Sequence, residues 1–237
     1  MTVPAWLEQL CVALPTVQGE YFSRFLPPAE GGRDSAVLVL FGEGPRGPDL
    51  LLIERAATMR SHAGQPAFPG GAQDPDDSGP VAAALREARE EVGLDPSSVT
   101  VLGQLPALWL PPSGFVVHPV VAWWHDPHEV RVVDTAEVAA VARVPISELT
   151  NPANRFRVGH PSGIIGPAFE VADLVVWGFT AGLIAGILKL AGWEQPWDES
   201  RIEPLDPETL RLALKTWRPK TPQRSSPEPE HQEEGAS

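Results

Sequence analysis

The stretch that decides the fold runs from Phe68 to Leu94 and reads FPGGAQDPDDSGPVAAALREAREEVGL. Its second half is typical of a short helix. Pro80 suits the first helical position, because proline has no N–H group to leave unpaired there. Gly93 suits the position just past the end, where a left-handed backbone is common. The pattern therefore predicts a helix between these two residues.

This helix carries an apolar stripe and a cluster of acids. The stripe consists of four residues at helical spacing, Val81, Leu85, Ala88 and Val92. Glu87, Glu90 and Glu91 stand at i, i+3 and i+4, so we expect their carboxylates to emerge together on the neighbouring face. Hard divalent cations such as Mg²⁺ prefer oxygen ligands of this kind. Gly70 and Gly71 precede the helix, where the backbone can turn sharply and offer bare carbonyl or amide groups.

A glutamate-rich helix face is usually a solvated one, and that interpretation competes with a metal site. The combination with the FPGG loop and the terminal Gly-Leu favours the metal site. Together these features resemble the Nudix box, a loop–helix–loop motif of hydrolases that cleave a nucleoside diphosphate linked to another group. The residues that match the tail of the box are Arg86, Glu87, Glu90, Glu91, Gly93 and Leu94.

The loop ahead of the helix departs from the general pattern of that family. The spacing from Gly71 to Arg86 is one residue longer, and the usual glutamate ahead of the helix is missing. Asp74, Asp76 and Asp77 occupy that region instead.

The resemblance implies an enzyme that depends on Mg²⁺ or Mn²⁺. By resemblance, Glu90 and Glu91 are metal ligands, and Glu87 is either a ligand to another metal or the general base. A carbonyl of the glycine loop, assigned to Gly71, would join the metal site. Arg86 would orient the acids through ion pairs rather than touch the substrate.

A distal acid in a loop often joins the metal site of Nudix enzymes. Glu137, which precedes the segment VAAVARVPISEL, is the candidate in this chain. The alternative is that Glu137 is simply an exposed loop residue.

A basic segment leads into the FPGG loop. Arg55, Arg60 and His62 concentrate positive charge just before the acidic helix. In so acidic a chain, such a cluster indicates that phosphate groups are held beside the metal. The alternative is that the arginines pair with nearby acids.

The segment LLIERAATMRSHAGQPAFPGG resembles the signature that precedes the Nudix box in coenzyme A pyrophosphatases. The matching positions are Ala56, Arg60, Gly64 and Phe68 to Gly71. Ile53 departs from it, because that subfamily usually has threonine there. The candidate substrate-binding residues are Arg55, Arg60, Gly64, Phe68 and Gly70, of which Arg55 stands at a position that varies in that subfamily.

The leading hypothesis is a pyrophosphatase that acts on coenzyme A or its thioesters. It would release 4′-phosphopantetheine, or an acyl form, and adenosine 3′,5′-bisphosphate. One alternative is a Nudix enzyme for ADP-ribose, a dinucleotide or a nucleoside triphosphate. Another is a non-catalytic ligand-binding module, although such a module should have lost one or more of the helix acids. In each case the implied fold is an α/β/α sandwich around a mixed β-sheet.

Composition limits the partners and the compartment. The chain has 237 residues and a net charge of −13, which argues against nucleic acid as a partner. A single cysteine, Cys11, excludes an internal disulfide framework and suits a reducing cytosol. The start MTVPAWLEQL lacks the features of a signal peptide, so we expect a cytoplasmic protein. The oligomeric state stays open, a homodimer included.

The pattern along the chain predicts four parts. They are residues 1–33 with an N-terminal helix over 4–14, residues 34–193 as the Nudix domain, residues 194–217 with a short helix over 207–217, and a disordered tail at 218–237. Predicted strands cover 36–41, 50–53, 99–105, 116–124 and the segment after Glu137, and a hairpin lies within 157–171. The apolar residues 174–188 are too few to cross a bilayer, so a buried strand end and helix are favoured over a membrane segment.

Overall fold

The computed structural model describes residues 2–59, 62–111, 113–159, 163, 165–205, 207 and 209–211. Its helices are Ala5–Ala13 (α1), Pro80–Val92 (α2), Ile146–Thr150 (α3) and Gly178–Leu190 (α4). Its strands are Arg33–Gly44 (β1), Gly47–Arg55 (β2), Pro66–Ala67 (β3), Gly70–Ala72 (β4), Val99–Gln104 (β5), Leu108–Leu110 (β6), Phe115–Trp124 (β7), Val138–Pro145 (β8), Arg155–Gly159 (β9), Ile165–Val171 (β10), Leu174–Val176 (β11) and Ile202–Glu203 (β12).

The larger of two sheets has the strand order β3-β2-β1-β7-β5, with β8 on β2, β4 on β1 and β6 on β7. Strands β1 and β7 run parallel to each other. The other pairs in this sheet are antiparallel, so the sheet is mixed.

Both faces of this sheet are buried. Along β1, the side chains of Ala36, Leu38 and Leu40 belong to the core beneath α2. Val39 and Phe41 belong to the core that includes residues of α1 and α4. Successive side chains of a strand point to opposite faces, which accounts for this alternation. Because helices cover both faces, the predicted α/β/α sandwich with a mixed sheet is confirmed.

The FPGG segment enters the sheet where β1 and β2 part. These two strands pair directly only at residues 41–44 with 47–50. Toward the other end, β3 pairs with β2, and β4 pairs with β1. The expectation that this segment is only a loop is therefore wrong. Strands of two or three residues have no periodicity that a sequence could reveal, and their pairing depends on distant parts of the chain.

The smaller sheet has the order β11-β10-β9-β12 and contains the predicted hairpin, formed by β9 and β10. The apolar residues 174–188 fall within β11 and α4, as predicted. Near the start of α4, the Thr180 hydroxyl donates to the carbonyl oxygen of Pro66 at 3.0 Å, which ties this helix to the FPGG segment.

In the part of the chain that is described, no helix is long and apolar enough to span a membrane.

The proline-rich stretch after β5 contains a short strand, because Leu108–Leu110 forms β6 against β7. The predicted helix over 207–217 is described only at 207 and 209–211, and the tail at 218–237 lies outside the described residues.

Candidate active site

Helix α2 has the ends that its sequence predicts. Pro80 occupies the first position, and Gly93 follows the last with a φ of 73°, in the left-handed region. The Gly93 amide donates to the carbonyl oxygen of Arg89 at 3.0 Å. The face toward the sheet is centred on small residues, because Ala83 and Ala84 are fully buried, whereas Val81 and Leu85 are only partly buried. Small side chains let this helix lie close to the sheet.

The three helix glutamates have very different surroundings. The side chain of Glu91 is 2% exposed, that of Glu87 is 15% exposed and that of Glu90 is 51% exposed. The carboxylates therefore range from buried to half exposed, a difference that their helical spacing does not predict. Spacing along a helix does not define how the helix is rotated over the sheet. Here the rotation places Glu91 on the buried side, between α2 and the sheet.

Glu91 is held against the FPGG segment. Its Oε2 accepts a hydrogen bond from the Gly70 amide at 2.9 Å. Its Oε1 is buried without a hydrogen-bond partner and lies 3.8 Å from Nη1 of Arg55. Burial, together with the negative charges of Glu87 and Glu137, raises the pKa of Glu91 to about 8. A buried carboxylate oxygen without a donor is one that a cation could satisfy.

Glu87 lies directly over Gly71. A Cβ atom added at Gly71 would be 2.5 Å from Oε1 of Glu87, so the carboxylate could keep this position only over a residue without a side chain. Burial raises the pKa of Glu87, and the nearby charges of Glu137 and Glu90 act in the same direction. Two of the predicted acids thus meet the two glycines of the FPGG segment.

Arg86 connects the loop before α2 to the helix acids. Its Nη1 donates to Glu87 at 3.0 Å and to Glu90 at 3.1 Å. Its Nη2 donates to Asp77 at 2.9 Å and to the carbonyl oxygen of Ala72 at 3.1 Å. The hydrogen bond from Arg86 lowers the pKa of Asp77. In the sequence Asp77 is one of three loop acids, and nothing in its spacing distinguishes it as the partner of Arg86.

Arg55 lies between two acids that are distant in sequence. Besides its contact with Glu91, its Nη2 is 3.7 Å from Oε2 of Glu137. The carbonyl oxygen of Glu137 also accepts a hydrogen bond from the Ala56 amide at 2.8 Å. The structure thus brings Glu137 to the site. It also shows Arg55 in the alternative role, paired with nearby acids.

The remaining predicted substrate-binding residues have mainly structural contacts. The Gly64 amide donates to the carbonyl oxygen of Arg55 at 3.0 Å, in a turn that returns the chain to β3. Phe68 is 2% exposed and packs in the core that contains α4 residues, so its ring has no surface to offer a substrate. The Gly70 amide is already used by Glu91. Arg60 lies outside the described residues.

His62 does not contribute the positive charge that the sequence suggested. Its pKa is lowered by burial and by the charge of Arg55, so the imidazole is neutral at pH 7. Its Nδ1 lies 3.1 Å from Oε1 of Gln65, within the same turn.

The acids provide suitable donors for a hard divalent cation, but they are not assembled around one position. No set of three acidic, histidine or cysteine side chains within the described ranges is arranged so that it could hold a metal ion. The unpartnered Oε1 of Glu91 and the approach of Glu87 to Gly71 nevertheless fit such a cation, because both offer oxygen. Glu90 is more exposed than these two, and its Oε2 accepts a hydrogen bond from Arg86.

The chain belongs to the Nudix hydrolase family, an assignment that agrees with this fold and site. A family model described as the NUDIX domain matches residues 32–162. An uncharacterised Nudix hydrolase NudL of Citrobacter koseri is 39% identical over 189 residues, which cover 78% of this chain and 92% of the relative. NudL of Escherichia coli K12 is 40% identical over 157 residues, which cover 64% of this chain and 79% of the relative.

Solved structures of Nudix proteins are also similar. The Nudix hydrolase RenU of M. smegmatis matches with a TM-score of 0.46 and 20% identity, covering 72% of this chain and 92% of the other. The NUDIX domain of Shewanella oneidensis NrtR, solved with ADP-ribose, matches with a TM-score of 0.41 and 18% identity, covering 56% and 86%.

Proposed function

We propose that this Nudix hydrolase cleaves the pyrophosphate bond of coenzyme A or acyl-coenzyme A in a reaction that depends on Mg²⁺ or Mn²⁺. The products would be 4′-phosphopantetheine, or its acyl form, and adenosine 3′,5′-bisphosphate. The observation that carries the hydrolytic part is the convergence of Glu87 and Glu91 on the glycines of the FPGG segment, with Glu137 near enough for its charge to raise the pKa of both. The coenzyme A part rests on the resemblance of LLIERAATMRSHAGQPAFPGG to the signature of that subfamily.

The cation would be held by Glu87, Glu90 and Glu91, with Glu137 and the Gly71 carbonyl as further candidate ligands. When bound, it neutralises the negative oxygens of the pyrophosphate and helps to ready a water molecule for attack. All of these donors are oxygens, which suits either metal.

The chain's own residues prepare the site in three ways. The Gly70 amide keeps one oxygen of Glu91 oriented and leaves the other open. Arg86 holds Glu87 and Glu90 near each other and connects them to Asp77. Glu87 serves as a ligand or as the general base, and its burial raises its pKa, which favours proton uptake.

Arg55 is the described basic residue best placed for the substrate phosphates. It is paired with Glu91 and Glu137 at 3.8 and 3.7 Å, distances longer than those of a direct hydrogen bond. With a cation bound to these acids, the Arg55 guanidinium would be available to contact phosphate. Arg60, from the same segment, is the candidate for the 3′-phosphate of coenzyme A.

A reducing compartment suits coenzyme A as the substrate, because its thiol stays reduced there. We place the reaction in the cytoplasm as part of the proposal, in line with the single free cysteine Cys11.

The test is incubation of the purified chain with coenzyme A and Mg²⁺ or Mn²⁺, followed by separation of the products. We expect the two products named above, and none of them in the presence of EDTA. ADP-ribose, a dinucleotide and a nucleoside triphosphate are compared at equal concentration. If one of these compounds is cleaved much faster than coenzyme A, that compound is the substrate and coenzyme A is not. The assignment as a hydrolase would still hold.

Site variants test the roles of the acids. Glu90→Gln and Glu91→Gln should each lower kcat by several orders of magnitude, because each removes a charge at the metal site. Glu129→Gln, an exposed loop acid, is the matched control and should retain the wild-type rate. Retained activity in both site variants would remove them from the metal site.

A further inference from the structure

A cavity of about 400 Å³ lies on the smaller sheet, away from the residues of the candidate active site. Its floor includes β9 and β10, and its roof is formed by the C-terminal half of α4 and the segment that follows it. The basic residues in its lining are Arg155, Arg157 and Lys189, and its aromatic residues are Tyr21 and Trp197. Cavities of this size hold small-molecule ligands in other proteins.

Arg155 is a buried cation with unused donors. Its side chain is 1% exposed, and its Nη2 donates to Oε1 of Glu194 at 2.9 Å. Its Nε and Nη1 are buried without a hydrogen-bond partner. The Trp197 ring lies 4.5 Å from its guanidinium carbon. A guanidinium has five N–H donors, and leaving charged donors unpaired inside a protein is unfavourable.

Arg157 and Lys189 add two further positive charges. Arg155 and Arg157 are two positions apart on β9, so their side chains extend from the same face of the sheet, toward α4. Within the part of the chain that is described, neither Arg157 nor Lys189 has an ion pair or side-chain hydrogen bond. The unpaired acid in the lining is Glu199, which is exposed. Unpaired cations facing one cavity are unexpected in a chain with a net charge of −13.

We infer that this cavity is a second ligand site, which binds a small molecule through a phosphate group. Two unneutralised cations match the double charge of a phosphomonoester, and arginine binds phosphate oxygens through paired N–H donors. The phosphate lies between Arg157 and Lys189. Its oxygens reach Arg155 when Glu194, from the segment after α4, gives up its place beside that guanidinium.

The experiment is isothermal titration of the full chain in EDTA, so that no cation supports binding at the candidate active site. The probes are inorganic phosphate, AMP and adenosine. We expect phosphate and AMP to bind and adenosine not to bind. If inorganic phosphate binds and AMP does not, the site takes the free ion. If AMP binds more tightly than inorganic phosphate, the site takes an organic phosphomonoester.

Variants locate the binding. Arg157→Gln and Lys189→Gln should each weaken AMP about tenfold or more, the effect of losing one charge-assisted hydrogen bond. Arg131 is exposed on the loop after β7, where its amide donates to the carbonyl oxygen of Val92, and Arg131→Gln should bind AMP as the wild type does. Lys189 is exposed, so its variant decides the result if Arg157→Gln fails to fold. Absence of binding by phosphate and AMP, or equal binding by both site variants and the wild type, would overturn the inference.

Discussion

The amide nitrogen of Gly70 lies 2.9 Å from Oε2 of Glu91, although the two residues belong to different elements. This bond joins the strand that enters the split between β1 and β2 to the helix that carries the acids. It leaves the second oxygen of Glu91 buried and unpartnered. The position of the least exposed acid of the site is therefore set by a backbone group of the FPGG segment.

Replacement of Gly70 by alanine should destabilise the fold strongly. Its φ is 153°, and an added Cβ would collide with the carbonyl oxygen of Ala36 and lie 2.7 Å from Cα of Val37. We expect Gly70→Ala to lower the free energy of unfolding by about 2–4 kcal/mol, measured by urea denaturation. Gly182→Ala is the control, because nothing lies within 4 Å of its added Cβ and alanine favours a helix. If both variants lose the same free energy of unfolding, the close contact between β1 and β4 does not require glycine at position 70.

Glu91 should make the stability of the metal-free protein depend on pH. Burial raises its folded pKa to about 8, above its value in the unfolded chain. The folded protein therefore keeps this proton where the unfolded chain has lost it. The resulting stabilisation is complete below about pH 4 and is lost as the pH rises through about 8.

Glu91→Gln removes this dependence and keeps an oxygen that can accept from Gly70. In EDTA, raising the pH from about 6 to about 9 should lower the free energy of unfolding of the wild type by about 2 kcal/mol more than that of the variant. Denaturant titrations at the two pH values measure the difference, and Glu129→Gln should behave as the wild type. Parallel pH profiles for the wild type and Glu91→Gln would show that Glu91 does not titrate in this range.

Arg86 and Asp77 should be coupled energetically. They share hydrogen bonds at 2.9 and 3.1 Å, and they connect the loop to α2. A double-mutant cycle with Arg86→Gln and Asp77→Asn should give an interaction energy of about 1–3 kcal/mol in stability. Asp76→Asn, in the same loop but exposed, should show an interaction energy near zero with Arg86→Gln. Similar values for the two aspartates would mean that Asp77 is only another loop acid.

Arg60 provides a test of the coenzyme A assignment. If it binds the 3′-phosphate, Arg60→Gln should raise KM for coenzyme A by about tenfold and leave KM for dephospho-coenzyme A nearly unchanged. Steady-state kinetics with both substrates measure the ratio, and Arg131→Gln serves as the control. An equal effect on the two substrates would remove Arg60 from this role.

Local features of the sequence were enough for much of the fold. The ends of α2 follow from Pro80 and Gly93, whose backbone preferences act within a few residues. Strands β1 and β2 follow from two short apolar runs, 36–41 and 50–53, separated by turn residues. The actual strands extend to Gly44 and Gly47, because backbone pairing continues beyond the apolar residues.

The sequence alone determined the family motif and the α/β class, since each depends on residue type and short spacing. Only the tertiary structure decided which acid is buried, which is paired and which is exposed. Glu91 meets Gly70 and Arg55, whereas Glu90 remains with Arg86. The physical reason is that helical spacing orders side chains around an axis, while packing against the sheet decides which of them leave water.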